Sequence, residues 1–367
     1  MRVLYFTGLL LLASSIHGKV IVKKCYHHLN CAEHKAPSLE LGNIVFYFDA
    51  KPDVKTSIDQ NSTKRDHTFI IPEAELESHD LLDVISRINT AKNPYYTVRI
   101  VPIKSPEKGL KVVFTYDEQN IGVRIAHYNS ISMQKALVFQ IYNKDVLRKM
   151  HNDHKPILQT AFINPRVVID CGHGGIDRGT IGCNGIAEKD VNLAIGLAIA
   201  GQLEKNNIDV ALTRSSDKTV ALDERTAYAN THAANLLISI HANAALNQSA
   251  KGIETYCLHE NLFEWQNNCN DDSLVNQWWQ SKHHRSYTFA HCVHSALLKE
   301  PLQFPLKDRS IRYAAPQVLL GASMPAILVE VGYLSNKDEC LYLSQKTYQQ
   351  YLAQRIAQGI ATYLNGC

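Results

Sequence analysis

From residue 166 onward the spacing of apolar residues switches repeatedly between two periods, and few architectures accommodate that. RVVID reads as a short buried strand, and VNLAIGLAIAGQLEKNN then sets Leu193, Leu197, Ala200 and Leu203 at helical intervals. IDVALTR returns to strand, LDERTAYANTHAA to helix and NLLISIH to strand. GIETYCL follows, then a polar segment with the helical core SYTFAHCVHSALLKE, then the apolar run MPAILVEVG. A last helix, TYQQYLAQRIAQGIATYL, brings Leu352, Ile356, Ile360 and Leu364 into line. Strands alternating with helices in this way predict an α/β fold over residues 166–367, a three-layer domain on a mostly parallel or mixed sheet.

Residues 41–150 follow a different rule. NIVFYFD, DHTFII, YYTVRIVPI, GLKVVFTYD, IGVRIAHY and ALVFQIY are short runs rich in β-branched and aromatic residues, parted by turn-formers such as KPD, KSPEKG and DEQN. Val98 and Ile100 alternate with Arg99, and Val123 and Ile125 with Arg124, which predicts antiparallel strands with one wet face. AELESHDLLDVISRINT predicts one covering helix. This small β-rich domain carries no acid pair or histidine cluster that would give it chemistry of its own. Residues 19–40 lack periodicity and read as a leader or linker, and 151–165 read as a second linker.

Residues 1–18 place one arginine before an apolar core from Val3 to Ala13, followed by Ser14, Ser15 and Gly18. That pattern predicts a signal peptide and export, with a buried strand or an uncleaved anchor as the alternative; the core is short for a bilayer span. No later segment approaches 18 continuous apolar residues, so no stable membrane span is expected. The net charge of +3 over 367 residues, with no block of Lys and Arg, gives no reason to expect nucleic acid. The nine cysteines do not have tetrathiolate spacing; in an exported chain Cys25 and Cys31 are the obvious local pair.

Function is most legible where strands end. In a sheet covered on both faces, ligands gather beyond the carboxyl ends of the strands. RVVID runs into His173 and LLISI into His241, while Glu330 interrupts AILVEVG and Glu188 stands at a helix start in GCNGIAEKD. Two imidazoles and a carboxylate make a suitable set for catalytic zinc, with a further carboxylate to move protons. His173, Glu188 and His241 would be ligands and Glu330 the base. Each also has an ordinary reading: a loop or cap histidine, a polar helix start, or a buried salt bridge from Glu330 to Arg309 or Arg312.

The wording around these positions is more specific than their chemistry. VVIDCGHGGIDRGTIGCNGIAEKDVNLAIGLAIAGQLE, VALTRSSDKTVALDERTAYANTHAANLLISIHANAA, KGIETY and MPAILVEVGYLSNKDE closely resemble the zinc-dependent N-acetylmuramoyl-L-alanine amidases of bacterial cell-wall turnover. The resemblance runs from about Arg166 to Leu364. It implies Zn2+ held by His173, Glu188 and His241, and Glu330 as the catalytic glutamate. It also implies peptidoglycan as substrate, cut between the lactyl group of N-acetylmuramic acid and L-alanine, in the periplasm or cell envelope. Arg309 and Asn243 are candidate substrate contacts. Asp170 or Asn243 is a candidate to orient a ligand imidazole, and Arg214 and Arg225 are read as pinning the loop RSSDKTVALDER.

Some wording departs from the family. Arg178 takes the usual proline position in IDRG, and Cys171 replaces a small apolar residue, leaving burial or a Cys171–Cys183 clamp as its alternatives. Residues 259–300 have no clear family counterpart at their start and are a candidate lid or partner-binding insertion. Some relatives carry an inhibitory helix there that an activator protein displaces. The β-rich domain weakly resembles the envelope-targeting modules that precede some of these amidases, at septa in some bacteria. Competing readings are another zinc hydrolase of wall peptide or glycan and a non-catalytic wall-binding protein.

Overall fold

The computed structural model describes residues 20–29, 40–58, 65–91, 93–104, 108–129, 135–152, 165–259, 263–265, 272–299 and 304–366 of the chain. The expected signal at 1–18 lies outside them, as do residues 153–164 of the expected linker.

The N-terminal unit opens with β1 (Val20–Leu29), β2 (Glu40–Phe48), β3 (Lys55–Ile58), β4 (Arg65–Pro72), β5 (Ala74–Leu76) and helix α1 (Asp80–Thr90). It closes with β6 (Tyr96–Ile103), β7 (Gly109–Tyr116), β8 (Ile121–Asn129), β9 (Lys135–Asn143) and α2 (Lys144–Asn152). One sheet has the order β3-β4-β7-β6, and a second runs β8-β9-β2-β1-β5. Phe46 and Phe139 of the second sheet meet Phe69 and Phe114 of the first in a shared core.

Three expectations for this unit change. Residues 20–29, read as leader, form a strand paired antiparallel with β2, and Val20 and Val22 are buried. The segment AEL pairs parallel with β1 instead of opening the helix, so α1 starts at Asp80 and buries Leu81, Ile85 and Ile88. Cys25 is a free buried thiol, not a partner of Cys31, which lies outside the described residues; burial pushes its pKa up.

The C-terminal unit comprises β10 (Arg166–Cys171), α3 (Glu188–Lys205), β11 (Asp209–Leu212), α4 (Leu222–Thr231), β12 (Leu236–Asn243) and β13 (Ile253–Cys257). It continues through β14 (Phe263–Trp265), α5 (Asp272–Leu298), β15 (Asp308–Tyr313), α6 (Gln317–Leu320), β16 (Ala326–Tyr333), α7 (Lys337–Leu343) and α8 (Lys346–Leu364). Its sheet has the order β11-β10-β12-β16-β13-β15. The first four strands are parallel; β13 runs against β16, with β15 parallel to β13. The sheet is therefore mixed, and the α/β expectation holds.

Strand residues alternate between the two faces. Val167, Ile169, Ile238 and Val329 meet α3, α8 and the later turns of α5. Val168, Leu237 and Leu328 point the other way, into a cluster that also contains Val45, Tyr128 and Tyr142 of the N-terminal unit. The two units thus share one core. Asn43 donates from Nδ2 to the Leu320 carbonyl at 3.2 Å, and the Ala315 amide donates to the Tyr128 hydroxyl at 2.7 Å.

This contact explains why the one-wet-face expectation holds for β6 and fails for β8. Along β6 the burial alternates as expected, with Val98 and Ile100 inside and Arg99 outside. Arg124 on β8, by contrast, is 4% exposed. Its Nε donates to Gln140 at 2.6 Å, its Nη1 to Asn276 of α5 at 2.8 Å, and its guanidinium lies 5.1 Å from the Trp279 ring. The second face of this sheet is buried because α5, α6 and one face of the C-terminal sheet pack against it. Strand β14 pairs antiparallel with β8, extending the N-terminal sheet, and α5 buries Trp278 and Trp279 in the shared cluster.

A core common to both units predicts one cooperative unfolding transition, seen alike by far-UV circular dichroism and tryptophan fluorescence. Trp279→Ala should lower stability by about 3–5 kcal/mol in urea titration. Two well-separated transitions in the unaltered protein would contradict the shared core.

Candidate metal centre

The site begins with a buried ion pair beneath it. On the face bearing Val168 and Leu237, residues nearer the carboxyl ends of the strands turn polar: Asp170 on β10, Ser239 and His241 on β12, Glu330 on β16. Asp170 pairs with Arg225 at 2.8 Å and accepts from Ser239 Oγ at 2.6 Å and Thr213 Oγ1 at 2.7 Å. Burial works against its charge, but Arg225 and the hydroxyls outweigh it and hold the pKa below the usual carboxylate range. Asp170 therefore has a structural role and does not orient an imidazole.

Two arginines then fix the backbone that enters the site. Arg225 donates to the carbonyls of Cys171 at 2.7 Å and His173 at 2.8 Å. Arg214, fully buried, donates to Cys171 at 2.8 Å, Gly172 at 3.0 Å and Lys189 at 2.7 Å. It thereby ties the segment bearing His173 to the first turn of α3, where Glu188 sits. His173 has φ +60°, a region that side chains enter only when the surroundings impose it. The two arginines bind the sheet-loop junction itself, a tighter role than pinning their own loop.

On this frame His173, Glu188 and His241 converge: one donor atom from each lies within 4.8 Å of the others. His173 Nε2 is 3.2 Å and His241 Nδ1 3.0 Å from the same Glu188 oxygen, Oε1. Burial opposes the charge of Glu188, yet hydrogen bonds from both imidazoles win and hold its pKa far below the usual value. Glycine makes the approach feasible: a Cβ on Gly179 would lie 2.6 Å from Glu188 Oε2 and 2.7 Å from His173 Cδ2. Gly172 likewise faces the His241 ring at a distance no side chain would fit. Two imidazoles and a buried carboxylate aimed at one point suit a divalent cation of the zinc class.

The partner that orients His173 is Asp177, whose Oδ2 lies 2.8 Å from His173 Nδ1. A carboxylate on the far nitrogen fixes the ring and its tautomer so that Nε2 faces the metal position. Asn243 does not do this for either imidazole; its Nδ2 donates to Glu254 at 3.3 Å. The loop between His173 and Glu188 is tethered by a disulfide from Cys183 to Cys340 of α7. Cys171 is a free, buried thiol, so the Cys171–Cys183 clamp does not form.

Glu330 is the register partner of His241 on one side and of Glu254 on the other. Its Oε2 is buried and, among the described residues, accepts no hydrogen bond. Burial, reinforced by the negative charges of Glu188 and Glu254, pushes its pKa well above the usual carboxylate value. No salt bridge to Arg309 or Arg312 satisfies it. Both arginines pair instead with Glu254, whose Oε1 is 2.5 Å from Arg309 Nε and 3.3 Å from Arg312 Nε. Tyr256 and Tyr333 donate to the same carboxylate at 2.6 Å and 3.0 Å. Glu339, another buried carboxylate, accepts the amides of Gly252 and Tyr333 at 2.7 Å each and fixes the end of β16.

All four residues expected from the strand-end pattern thus gather at one place, while Arg309 and Asn243 converge on Glu254 beside it. Glu254 itself was not among the expected residues. The signal was present in GIETY, a carboxylate interrupting a strand just as Glu330 does.

A family model described as N-acetylmuramoyl-L-alanine amidase (Amidase_3) matches residues 167–362. The chain is 32% identical over 248 residues to N-acetylmuramoyl-L-alanine amidase AmiA of Escherichia coli (strain K12), covering 62% of this chain and 86% of that protein. It is also 32% identical over 197 residues to the uncharacterized protein YqiI of Bacillus subtilis (strain 168), covering 54% and 84% respectively. Among solved structures, N-acetylmuramoyl-L-alanine amidase AmiC2 of Nostoc punctiforme aligns with a TM-score of 0.47 at 34% identity, covering 55% of this chain and 98% of that one.

The geometry makes two predictions. Asp177→Ala should weaken metal binding by about 10- to 100-fold in a chelator-competition titration, and unaltered affinity would remove its orienting role. Asp170→Asn should cost about 3–5 kcal/mol at neutral pH, because Arg225 is left buried without its counter-charge. Since the folded pKa of Asp170 is depressed, its contribution is complete above the unfolded value of about 3.9 and is lost as pH falls through the folded value. Urea titrations across that range should show the variant losing less stability to acid than the unaltered protein.

Proposed function

Because the chain belongs to the N-acetylmuramoyl-L-alanine amidase family, whose model spans more than half of it, we infer that it hydrolyses the amide joining the lactyl group of N-acetylmuramic acid to the L-alanine of the peptidoglycan stem. The observation that carries this reading is the convergence of His173, Glu188 and His241 beside a carboxylate with an unengaged oxygen.

We assign the metal as Zn2+, held by His173, Glu188 and His241, on the chemistry of the donor set. Zinc held there would supply Lewis acidity toward a water and the scissile carbonyl. The protein's own part is positional and protic. Asp177 holds the His173 ring, and Arg214 and Arg225 hold the backbone beneath it. Glu330 Oε2 takes the proton from the attacking water and returns it to the alanine nitrogen as the C–N bond breaks. Burial and the neighbouring charges of Glu188 and Glu254 raise its pKa, which favours holding that proton between the two transfers. Arg309 and Asn243 are the proposed substrate contacts, each also hydrogen-bonded to Glu254.

The envelope is the proposed place of action. The export-like start of the chain supports this, and so does the Cys183–Cys340 disulfide, which belongs to an oxidising compartment. An activator acting on residues 259–300 would have to disturb the pairing of β14 with β8 or the packing of Trp278 and Trp279. A wall-targeting role for the N-terminal unit would be exercised by a unit fused to the catalytic one through their common core.

Glu330→Gln should retain metal while hydrolysis of purified peptidoglycan falls by at least about a thousandfold, read by mass analysis of released peptides. Peptides beginning in L-alanine, abolished by a chelator and restored by zinc, are the expected product. Cuts within the stem would favour the competing zinc peptidase, and a metal-free Glu330→Gln protein would make Glu330 a ligand.

A further inference from the structure

Beside Glu330 the charges do not balance. Arg309 and Arg312 share one carboxylate, Glu254, which is nearly closed to solvent. That carboxylate has no capacity left: Oε1 takes Arg309, Arg312 and Tyr333, and Oε2 takes Tyr256 and Asn243. The neighbouring acids are engaged elsewhere. Glu339 accepts two backbone amides, and Asp308 lies 3.0 Å from His294 on α5. Among the described residues, two guanidinium charges against one carboxylate leave one positive charge in excess.

The excess is carried by Arg312. Arg309 is 27% exposed, held through Nε and lying 5.1 Å from the Tyr333 ring. Arg312 is 48% exposed, and its Nε faces Glu254 and the Arg309 carbonyl, each at 3.3 Å. Neither of its terminal nitrogens has a partner among the described residues. A guanidinium anchored through Nε with its outer fork open is pre-oriented for a carboxylate, which it can take through two parallel hydrogen bonds.

Its place relative to the reaction follows from strand register. Glu254 is paired with Glu330, and Arg312 is paired with Tyr256 on the far side of β13. Two strand spacings across and two residues along put the Cα atoms of Glu330 and Arg312 about 12 Å apart. The Arg312 side chain then returns toward Glu254 on the face that bears Glu330. Its Nε is 3.3 Å from Glu254, which stands one strand spacing of about 4.8 Å from Glu330. The guanidinium is thus within reach of a peptide residue one or two positions from an amide held at Glu330, at roughly 3.5 Å per residue.

We propose that Arg312, anchored on Glu254, binds a carboxylate of the substrate's peptide next to the L-alanine, so that the enzyme selects an acidic stem over an amidated one. This rests on the amidase reading and adds the feature of the leaving peptide that is recognised.

The test compares N-acetylmuramyl-L-alanyl-glutamate with its two monoamides, one blocking the α-carboxylate and one the side chain. The unaltered enzyme should show kcat/KM at least about tenfold lower for one monoamide, which identifies the carboxylate bound. Arg312→Gln should erase that ratio, mainly through KM on the acid, and Arg312→Lys should restore part of it. Equal rates on acid and both amides, or a ratio that survives in Arg312→Gln, overturns the proposal. Calorimetric binding of the same three ligands to zinc-loaded Glu330→Gln protein, with and without Arg312→Gln, reads the contact without turnover. Release of no L-alanine-terminated peptide by the unaltered enzyme, from these ligands or from whole peptidoglycan, is the separate failure of the amidase reading.

Discussion

Glu188 has to remain ionised while almost closed off from water, and the site is organised around meeting that demand. An isolated buried carboxylate would take up a proton, since burial penalises the charged form. Here two imidazole nitrogens meet one of its oxygens, and the Thr180 amide donates to the other at 2.9 Å. The carboxylate gathers the histidines and the histidines keep it charged, so none of the three is placed independently. Their common geometry depends in turn on backbone that Arg214 and Arg225 hold by its carbonyls. A change in either arginine would reach the metal-site residues through the backbone, without touching one of their side chains.

The N-terminal unit takes part in this rigidity indirectly. The face of the catalytic sheet that carries the metal residues also carries Val168, Leu237 and Leu328, which need apolar cover. Helices α4 and α6 supply part of it, and the two-faced strands β2, β8 and β9 supply more. The 259–300 segment serves both sides: β14 completes the N-terminal sheet while α5 contributes Trp278 and Trp279 to the common core. Lys282, near the middle of α5, donates to the Ala322 carbonyl and lies 4.8 Å from the Trp279 ring, binding the loop before β16 to the same cluster. The described parts of this segment, which the sequence presents as a candidate lid or partner-binding insertion, join the two units.

Much of this was legible in the sequence because period and position carry it. The alternation after residue 166 gives the strands and helices of the mixed sheet, and strand-end polarity gives His173, His241 and Glu330. What stayed hidden depends on contacts between distant segments. Arg124 alternates with Val123 and Ile125 as a surface residue would, and only the arrival of α5 turns its face dry. Residues 20–29 hide their period because the pairing of β1 with β2 shifts register between Val22 and Lys24, so the alternation seen at Val20 and Val22 does not run on. The partner of Cys183 is 157 residues away, beyond the reach of spacing, and Asp177 became visible as the orienting group only once the loop's turn was known. Glu254 could have been found, since the argument that singled out Glu330 applies to it unchanged.

The contrast between those two glutamates is the strongest reason to treat the pair as one device. They face each other across adjacent strands, yet the sheet handles them oppositely. Glu254 accepts from Arg309, Tyr256, Tyr333 and Asn243 and pairs with Arg312, and its pKa falls below the usual value despite the cost of burial. A carboxylate so engaged cannot take part in proton transfer without dismantling its surroundings. Glu330 Oε2 is buried without a donor among the described residues, and its pKa is raised. Environments that push two neighbouring acids apart assign their roles. On the function proposed above, they leave Glu330 for proton transfer and make Glu254 the anchor on which the nearby positive charge is mounted, with Arg309 held and Arg312 left open.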